Sequence, residues 1–434
     1  MQQKKSQKLM IKLVGGHKFY LILLIILILF FSKNIFAVQI YDYHTEKFIN
    51  KIYSEILSVN SYDKKINFRI YKDEFPNAYV TEDNIIYISS GLLTYSPNYV
   101  ALLAVIAHEI GHIEKYHISK RKAEIKNLTN INSFTNLATV VGSMIIGEPA
   151  ILNVLALNKT AVNNYYFNFS QEQEIEADIY AIETINNLKL PTEPVKDLLS
   201  IIENKTSAYL KDEELKKFST HPIFQKRYDI IENTTKGEFY NFDENYQREF
   251  DFIQAKFMAY TDEGKITKLK NDQKIYYESI QFSKSGNLIE SLEKINFLIS
   301  KNKNDYFIME TKADILLSFG YSQEAIKFYK KVIHKQPNNN YAKYNIFVNS
   351  TLNQIDYQFN KDFFINNLNL LKYFPNNQNI LIKYYDLTKF LQYDEWMLLF
   401  ETLLFKNNDA KQILNELNKQ TKDYNLKKII KLYN

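Results

Sequence analysis

Residues 100–116, VALLAVIAHEIGHIEKY, decide how the rest of the chain is read. The run is apolar on almost every side, contains no helix breaker except Gly111, and follows Ser96-Pro97, which predicts an N-cap with proline in the first helical turn. Within it stands His108-Glu109-Ile110-Gly111-His112. Two histidines spaced this way project from one side of a helix, so both can offer an imidazole nitrogen to a single zinc ion. Glu109 stands next to the first of them and can reach the metal's open position. There a carboxylate can take a proton from water, while the ion lowers the pKa of that water and polarises a carbonyl. The chain has no cysteine, which excludes thiolate ligands and a cysteine nucleophile.

Such a site needs a third protein ligand, brought from another helix. The acidic run Gln171-Glu172-Gln173-Glu174-Ile175-Glu176-Ala177-Asp178 supplies candidates, and Ser170 predicts its N-cap with Glu172 and Gln173 in the first turn. On spacing alone Glu172, Glu174, Glu176 and Asp178 compete. Glu174 and Asp178 share a face, so one can bind the metal while the other holds a ligand histidine from behind. His117, five residues after His112, is expected to point away from the metal as a surface residue. His44 and His334 have no partner in sequence and receive no role.

Outward from this centre, Phe68–Tyr71 and Ile85–Ile88 are β-branched and aromatic runs that predict a pair of strands around a turn-rich segment. Residues 134–158 predict a further helical pair, broken at Gly147-Glu148-Pro149, whose apolar halves are too short to span a membrane. At the other end, Phe19–Phe31 is an unbroken apolar and aromatic run after a lysine-rich start, and Ala37 follows as a small residue. That pattern predicts a secretory signal peptide over 1–37 and a periplasmic location, with an uncleaved anchor and peripheral membrane association as the alternative. The formal charge of +5 becomes −1 once that segment's six lysines are set aside, so no basic footprint for nucleic acid remains. With 434 residues the chain has room for two or three domains.

Towards the C-terminus the sequence repeats. Gly286 and Gly320 lie 34 residues apart, and Ser291, Ile295 and Leu298 stand in register with Ala325, Tyr329 and Val332. These are the offsets of a tetratricopeptide (TPR) unit, which predicts stacked helix pairs. The expected division is 1–37 signal peptide, 38–240 metalloprotease domain, 241–270 connecting helical segment and 271–434 TPR-like repeats. The expected fold class is mainly α with a small β-sheet, an α+β zincin-type domain followed by an all-α repeat domain.

The helix with His108 and His112, the later Glu174-Ile175-Glu176-Ala177-Asp178, and Thr220-His221-Pro222 with Arg227 resemble the zinc metallopeptidases that include HtpX and the CAAX-prenyl protease. With its leader and repeats the chain is most similar to the periplasmic BepA-like subgroup. The resemblance implies a zinc endopeptidase carrying one zinc ion on His108, His112 and Glu174, with Asp178 behind a ligand histidine and Glu109 as the base. It implies that His221 either stabilises the oxyanion or occupies the open site and holds the enzyme off, and that Arg227 anchors the loop or assists the oxyanion. Pro76-Asn77-Ala78-Tyr79 and the strand Ile85, Ile86, Tyr87, Ile88 resemble the family's edge strand, which would pair with an extended substrate backbone. The chain departs from the family pattern at Thr81–Asn84, where glycines are usual, and at Gln171, where arginine is usual. The implied partners are protein or peptide substrates and, through the repeats, an outer-membrane assembly complex involved in quality control. The rival reading is a latent TPR chaperone or scaffold that keeps a metallopeptidase fold.

Overall fold

The computed structural model describes residues 39–60, 65–120, 169–209, 225–235, 242–261, 269–351, 357–405 and 409–433, with Gly237 and Gly264. The expected signal peptide, the helical pair over 134–158 and Thr220-His221-Pro222 lie outside the described residues.

A four-stranded sheet and a layer of helices build the first core. Strand β1 (Gln39–Ile40) leads into α1 (Tyr43–Val59), followed by β2 (Asn67–Tyr71), β3 (Ala78–Val80), β4 (Ile85–Ser89), α2 (Ser90–Tyr95) and α3 (Tyr99–Glu114). The strand order is β1-β2-β4-β3. β2 and β4 pair in parallel, with Phe68 opposite Ile86 and Ile70 opposite Ile88, and these four residues are buried, as the period-two pattern requires. The expected strand pair is therefore present. β3 was not expected as a strand, and it changes the reading of its neighbour.

β4 is hydrogen-bonded to β2 on one side and to β3 on the other. Ile85, Ile86, Tyr87 and Ile88 thus form an internal strand whose backbone groups are taken, which corrects the expectation of a substrate-pairing edge there. Among the described residues the edge on this side of the sheet is β3, which runs antiparallel to β4 with Tyr79 opposite Tyr87. The turn between them needs no glycine. Asn84 takes the left-handed conformation at φ 55°, which asparagine tolerates better than most residues, while its N–H donates to the Thr81 carbonyl.

The start of the histidine helix also differs from expectation. Ser96 terminates α2, its N–H and hydroxyl both donating to the Leu92 carbonyl. Asn98 is the N-cap of α3 and accepts from the N–H groups of Val100 and Ala101. Two caps of similar strength stand in a row, and the short helix before α3 has taken the first. α3 is buried on nearly all sides, which is why its sequence is apolar all round.

Helices α4 (Gln171–Asn187), α5 (Glu193–Tyr209), α6 (Gln225–Thr234) and α7 (Glu244–Thr261) complete this layer. Ser170 caps α4 as expected, in a reciprocal capping box with Gln173. Beyond α7 the chain is helical throughout the described residues: α8 (Asn271–Lys284), α9 (Leu288–Lys301), α10 (Tyr306–Ser318), α11 (Ser322–Lys335), α12 (Asn340–Asn349), α13 (Tyr357–Asn367), α14 (Leu370–Tyr373), α15 (Gln378–Leu391), α16 (Asp394–Phe405), α17 (Ala410–Gln420) and α18 (Tyr424–Ile430). Gly286 and Gly320 turn the chain between helices at φ 82° and 83°, and both triplets read as equivalent, Ser291-Ile295-Leu298 and Ala325-Tyr329-Val332, are buried. Among the described residues no helix is long and apolar enough to cross a membrane.

A buried polar cluster ties the start of α1 to α7 and α10. Asp42 caps α1 by accepting from the Thr45 N–H and pairs with Lys256 of α7 at 2.5 Å. His44 lies 3.8 Å from the wholly buried Glu310 of α10. His44, which receives no role from sequence, thus packs beside a buried carboxyl group.

Candidate metal centre

α3 and α4 cross closely because Gly111 lies at their contact. A Cβ placed there would stand 3.1 Å from Ala177 Cα, 3.2 Å from Tyr180 Cβ and 3.3 Å from the Ala177 carbonyl oxygen. The close approach brings Glu174 of α4 against His108 and His112 of α3, all three buried. Their ligand-capable atoms lie within 4.8 Å of one another.

The separations between their donor atoms are short. Nε2 of His108 and Nε2 of His112 are 3.1 Å apart, Glu174 Oε2 is 3.4 Å from the first and Glu174 Oε1 is 3.5 Å from the second. Tetrahedral coordination with bonds of about 2.0–2.1 Å places neighbouring donor atoms roughly 3.3–3.4 Å apart. The carboxylate separations run to different oxygens of Glu174, one to each histidine, and lie close to that value, so these three residues suit a cation that takes nitrogen and oxygen.

Each ligand is held from behind. His108 directs Nδ1 at Asp178 Oδ1, 2.9 Å away, which turns Nε2 towards the other donors. Asp178 in turn accepts two charge-assisted bonds from Arg227, from Nε to Oδ2 and from Nη2 to Oδ1, both 2.7 Å. The same guanidinium places Nη1 3.1 Å from Glu174 Oε2. Burial alone would raise the Asp178 carboxyl, but Arg227 and His108 together hold it below the usual carboxylate range. Burial likewise opposes charge on Arg227, and the two carboxylates outweigh it. Arg227 is buried, so its place is beneath the ligands rather than on the surface.

The acidic run is sorted by the helix. Glu174 and Asp178 face inward, while Glu172 and Glu176 are exposed. Glu176 nevertheless has a partner, and this overturns the expectation for His117. α3 ends at Glu114, Tyr116 adopts φ 57°, and the chain folds His117 back to full burial beside His112. The regular rotation of a helix, which would have carried His117 to the far side, no longer applies after that break. Its Nδ1 is 2.9 Å from His112 Nδ1, and its Nε2 is 2.9 Å from Glu176 Oε2. Phe169 stacks on the His112 ring at 3.6 Å between centroids. Neither Lys115 nor Tyr116 is a helix breaker, so the sequence carries no signal for this turn.

Glu109 is buried and lines a cavity of about 70 Å³ together with His108, Asp178 and Arg227. Phe75, Asn77 and Ala78, at the start of the edge strand β3, form one wall, and Leu198, Leu199 and Ile231 form another. The Glu109 carboxylate, the metal-capable His108 and the start of β3 therefore meet in one largely apolar cleft. His221 is not among the described residues, so its position relative to Glu109 is not part of this geometry.

The comparisons agree with the constellation. Residues 45–235 match the family model Peptidase family M48. The chain is 22% identical over 192 residues to the beta-barrel assembly-enhancing protease of Yersinia pestis, covering 44% of this chain and 39% of that protein. The corresponding protein of Escherichia coli (strain K12) is 22% identical over 185 residues, 42% of this chain and 37% of that protein. Metalloprotease LoiP of the same strain is 29% identical over 130 residues, 30% of this chain and 48% of that protein. The chain thus spans less than half the length of these relatives. On the family match and on the two histidines and glutamate that it brings together, residues 45–235 are a domain of peptidase family M48.

Proposed function

We propose that the chain is an exported, zinc-dependent endopeptidase acting in envelope protein quality control, with one zinc ion on His108, His112 and Glu174. The observation that carries this reading is the buried cluster of His108, His112 and Glu174, with ligand-capable atoms within 4.8 Å of one another, beside the buried carboxylate of Glu109. When bound, zinc supplies a Lewis acid that lowers the pKa of a water and polarises the scissile carbonyl.

The chain's own groups do the rest. Glu109 takes a proton from the attacking water and passes it to the leaving amine. Asp178 and Arg227 keep the His108 ring in the tautomer that leaves Nε2 for the metal. The apolar walls exclude bulk water, which strengthens every charge interaction inside. An extended substrate lies along the outer edge of β3, where main-chain hydrogen bonds give affinity with little sequence preference. His221 acts from the segment between α5 and α6, either on the oxyanion or as an occupant of the open position. Residues 38–240 are the protease unit, 241–270 a connector and 271–434 TPR-like repeats that recruit substrates or partners. The relatives named for enhancing beta-barrel assembly point to outer-membrane proteins and their assembly complex.

The test is zinc content and casein cleavage of the purified chain beside Glu109→Gln and His221→Ala. Zinc near one per chain with cleavage abolished in Glu109→Gln supports the enzyme, and faster cleavage in His221→Ala supports a self-inhibiting switch. Absence of zinc from the wild type, or unchanged cleavage in Glu109→Gln, overturns it. If a strain carrying Glu109→Gln kept its envelope function, the scaffold reading would replace the enzyme.

A further inference from the structure

The two ligand histidines are supported in different ways. His108 leans on a buried carboxylate that Arg227 neutralises. His112 leans on a second imidazole, His117, which leans in turn on Glu176, half-exposed at the rim with side-chain accessibility of 50%. His112 has both ring nitrogens engaged, Nε2 in the donor cluster and Nδ1 against His117.

That arrangement leaves one placement of the protons. For Nε2 of His112 to present a lone pair to a cation, its proton must sit on Nδ1. His112 Nδ1–H then donates to Nδ1 of His117, so the proton of His117 sits on Nε2 and donates to the Glu176 carboxylate. We propose that His117, oriented by Glu176, is a positioning residue for the metal ligand His112, fixing the tautomer and ring plane that aim Nε2 at the metal. Phe169 closes the other side of the His112 ring by stacking at 3.6 Å, so the ring is fixed both in plane and in tilt. The inference rests on the metal-centre reading above and adds to it a chain of hydrogen bonds from the ligand to the protein surface.

The experiment measures zinc affinity of the full chain by competition with a chelator, using zinc alone as the probe, and records the melting temperature of each metal-free protein. His117→Phe fills the same space against Phe169 but has no acceptor, and it weakens zinc binding roughly 10- to 100-fold, the usual effect of losing such a partner. His117→Gln, whose amide can accept from His112 and donate to Glu176, restores affinity to within a few-fold of wild type, which a merely space-filling role would not require. Glu176→Ala, at the exposed end, weakens binding several-fold while Glu176→Gln does not, and this pair decides the matter if His117→Phe does not fold. Wild-type affinity in both His117→Phe and Glu176→Ala overturns the inference, as does a His117→Gln protein no better than His117→Phe. A wild-type chain that binds no zinc overturns the metal-centre reading itself, an outcome distinct from either.

Discussion

Gly111→Ala tests whether the closeness of α3 and α4 sets the metal site. The added Cβ would stand 3.1 Å from Ala177 Cα and 3.2 Å from Tyr180 Cβ, whereas carbon atoms in contact prefer about 3.5–4.0 Å. One of these neighbours is a backbone atom and the other a Cβ, so a side-chain rotation cannot relieve the overlap and the helices must part by a few tenths of an ångström. Glu174 lies three residues before Ala177 on the same helix and moves with it. Ligand distances in a working site hold to about 0.2 Å, so zinc affinity falls tenfold or more, about 1.4 kcal/mol. Folding changes less. Overpacking costs about 1–3 kcal/mol, while replacing glycine inside a helix returns about 1 kcal/mol. A net loss of about 0–2 kcal/mol lowers the melting temperature of the metal-free protein by no more than ~8 °C at this domain size. The assay pairs a chelator-competition titration with thermal melts, and Gly237→Ala serves as control because its Cβ would meet nothing within 4 Å. Wild-type zinc affinity in Gly111→Ala, or a loss of affinity matched by a collapse in melting temperature, would refute the reasoning.

Three further outcomes are expected. Arg227→Met leaves Asp178 and Glu174 buried without their cation, so urea denaturation of the metal-free protein should show a loss of about 3–5 kcal/mol, and a change below ~1 kcal/mol would contradict the buried network. Burial pushes the Glu310 carboxyl up to about 8, so the folded state holds a proton that the unfolded state has released, and this contribution declines as pH rises from the ordinary carboxylate range towards 8. Burial lowers His44 to about 3, so its contribution is present above the ordinary imidazole pKa and lost as pH falls towards 3. Between about pH 6.5 and 8 Glu310 supplies about 2 kcal/mol of this decline, and Glu46, whose carboxyl burial pushes up to about 7, adds to it only at the lower end of the window. Melting curves over that range should slope downward in the wild type and flatten in Glu310→Gln; equal slopes would reject the assignment. Phe400→Ala removes a fully buried ring stacked between Tyr384 and Trp396 and should destabilise the C-terminal helices by about 3–5 kcal/mol, read as a shift in denaturant midpoint with full zinc binding retained.

Much of the centre was legible because its information is local. The spacing of His108 and His112 on one helix, the cap at Ser170, and the shared face of Glu174 and Asp178 all follow from a repeat of 3.6 residues per turn. Spacing alone left Glu172, Glu174, Glu176 and Asp178 in competition, and the resemblance to a known family, not geometry, singled out Glu174. Arg227 could not be placed from sequence, since a lone arginine after a turn reads as a surface cation until a partner is known.

The errors share one cause. β3 is only three residues long, too short to show a period, yet by pairing with β4 it moves the sheet edge from Ile85–Ile88 to Ala78–Val80. Tyr116 carries no mark of the left-handed turn that returns His117 to His112, and nothing near His44 in sequence announces Glu310, 266 positions later. By itself, then, the sequence determined that the His108–His112 segment and the acidic run lie on helices, which histidines share a face, and that the chain has the parts of a metal centre. Only the tertiary structure decided which acid reaches the histidines, which strand lies at the edge and which groups hold the ligands from behind. Helix period and capping are properties of neighbours along the chain, whereas burial, ion pairing and sheet order depend on segments that meet only after folding.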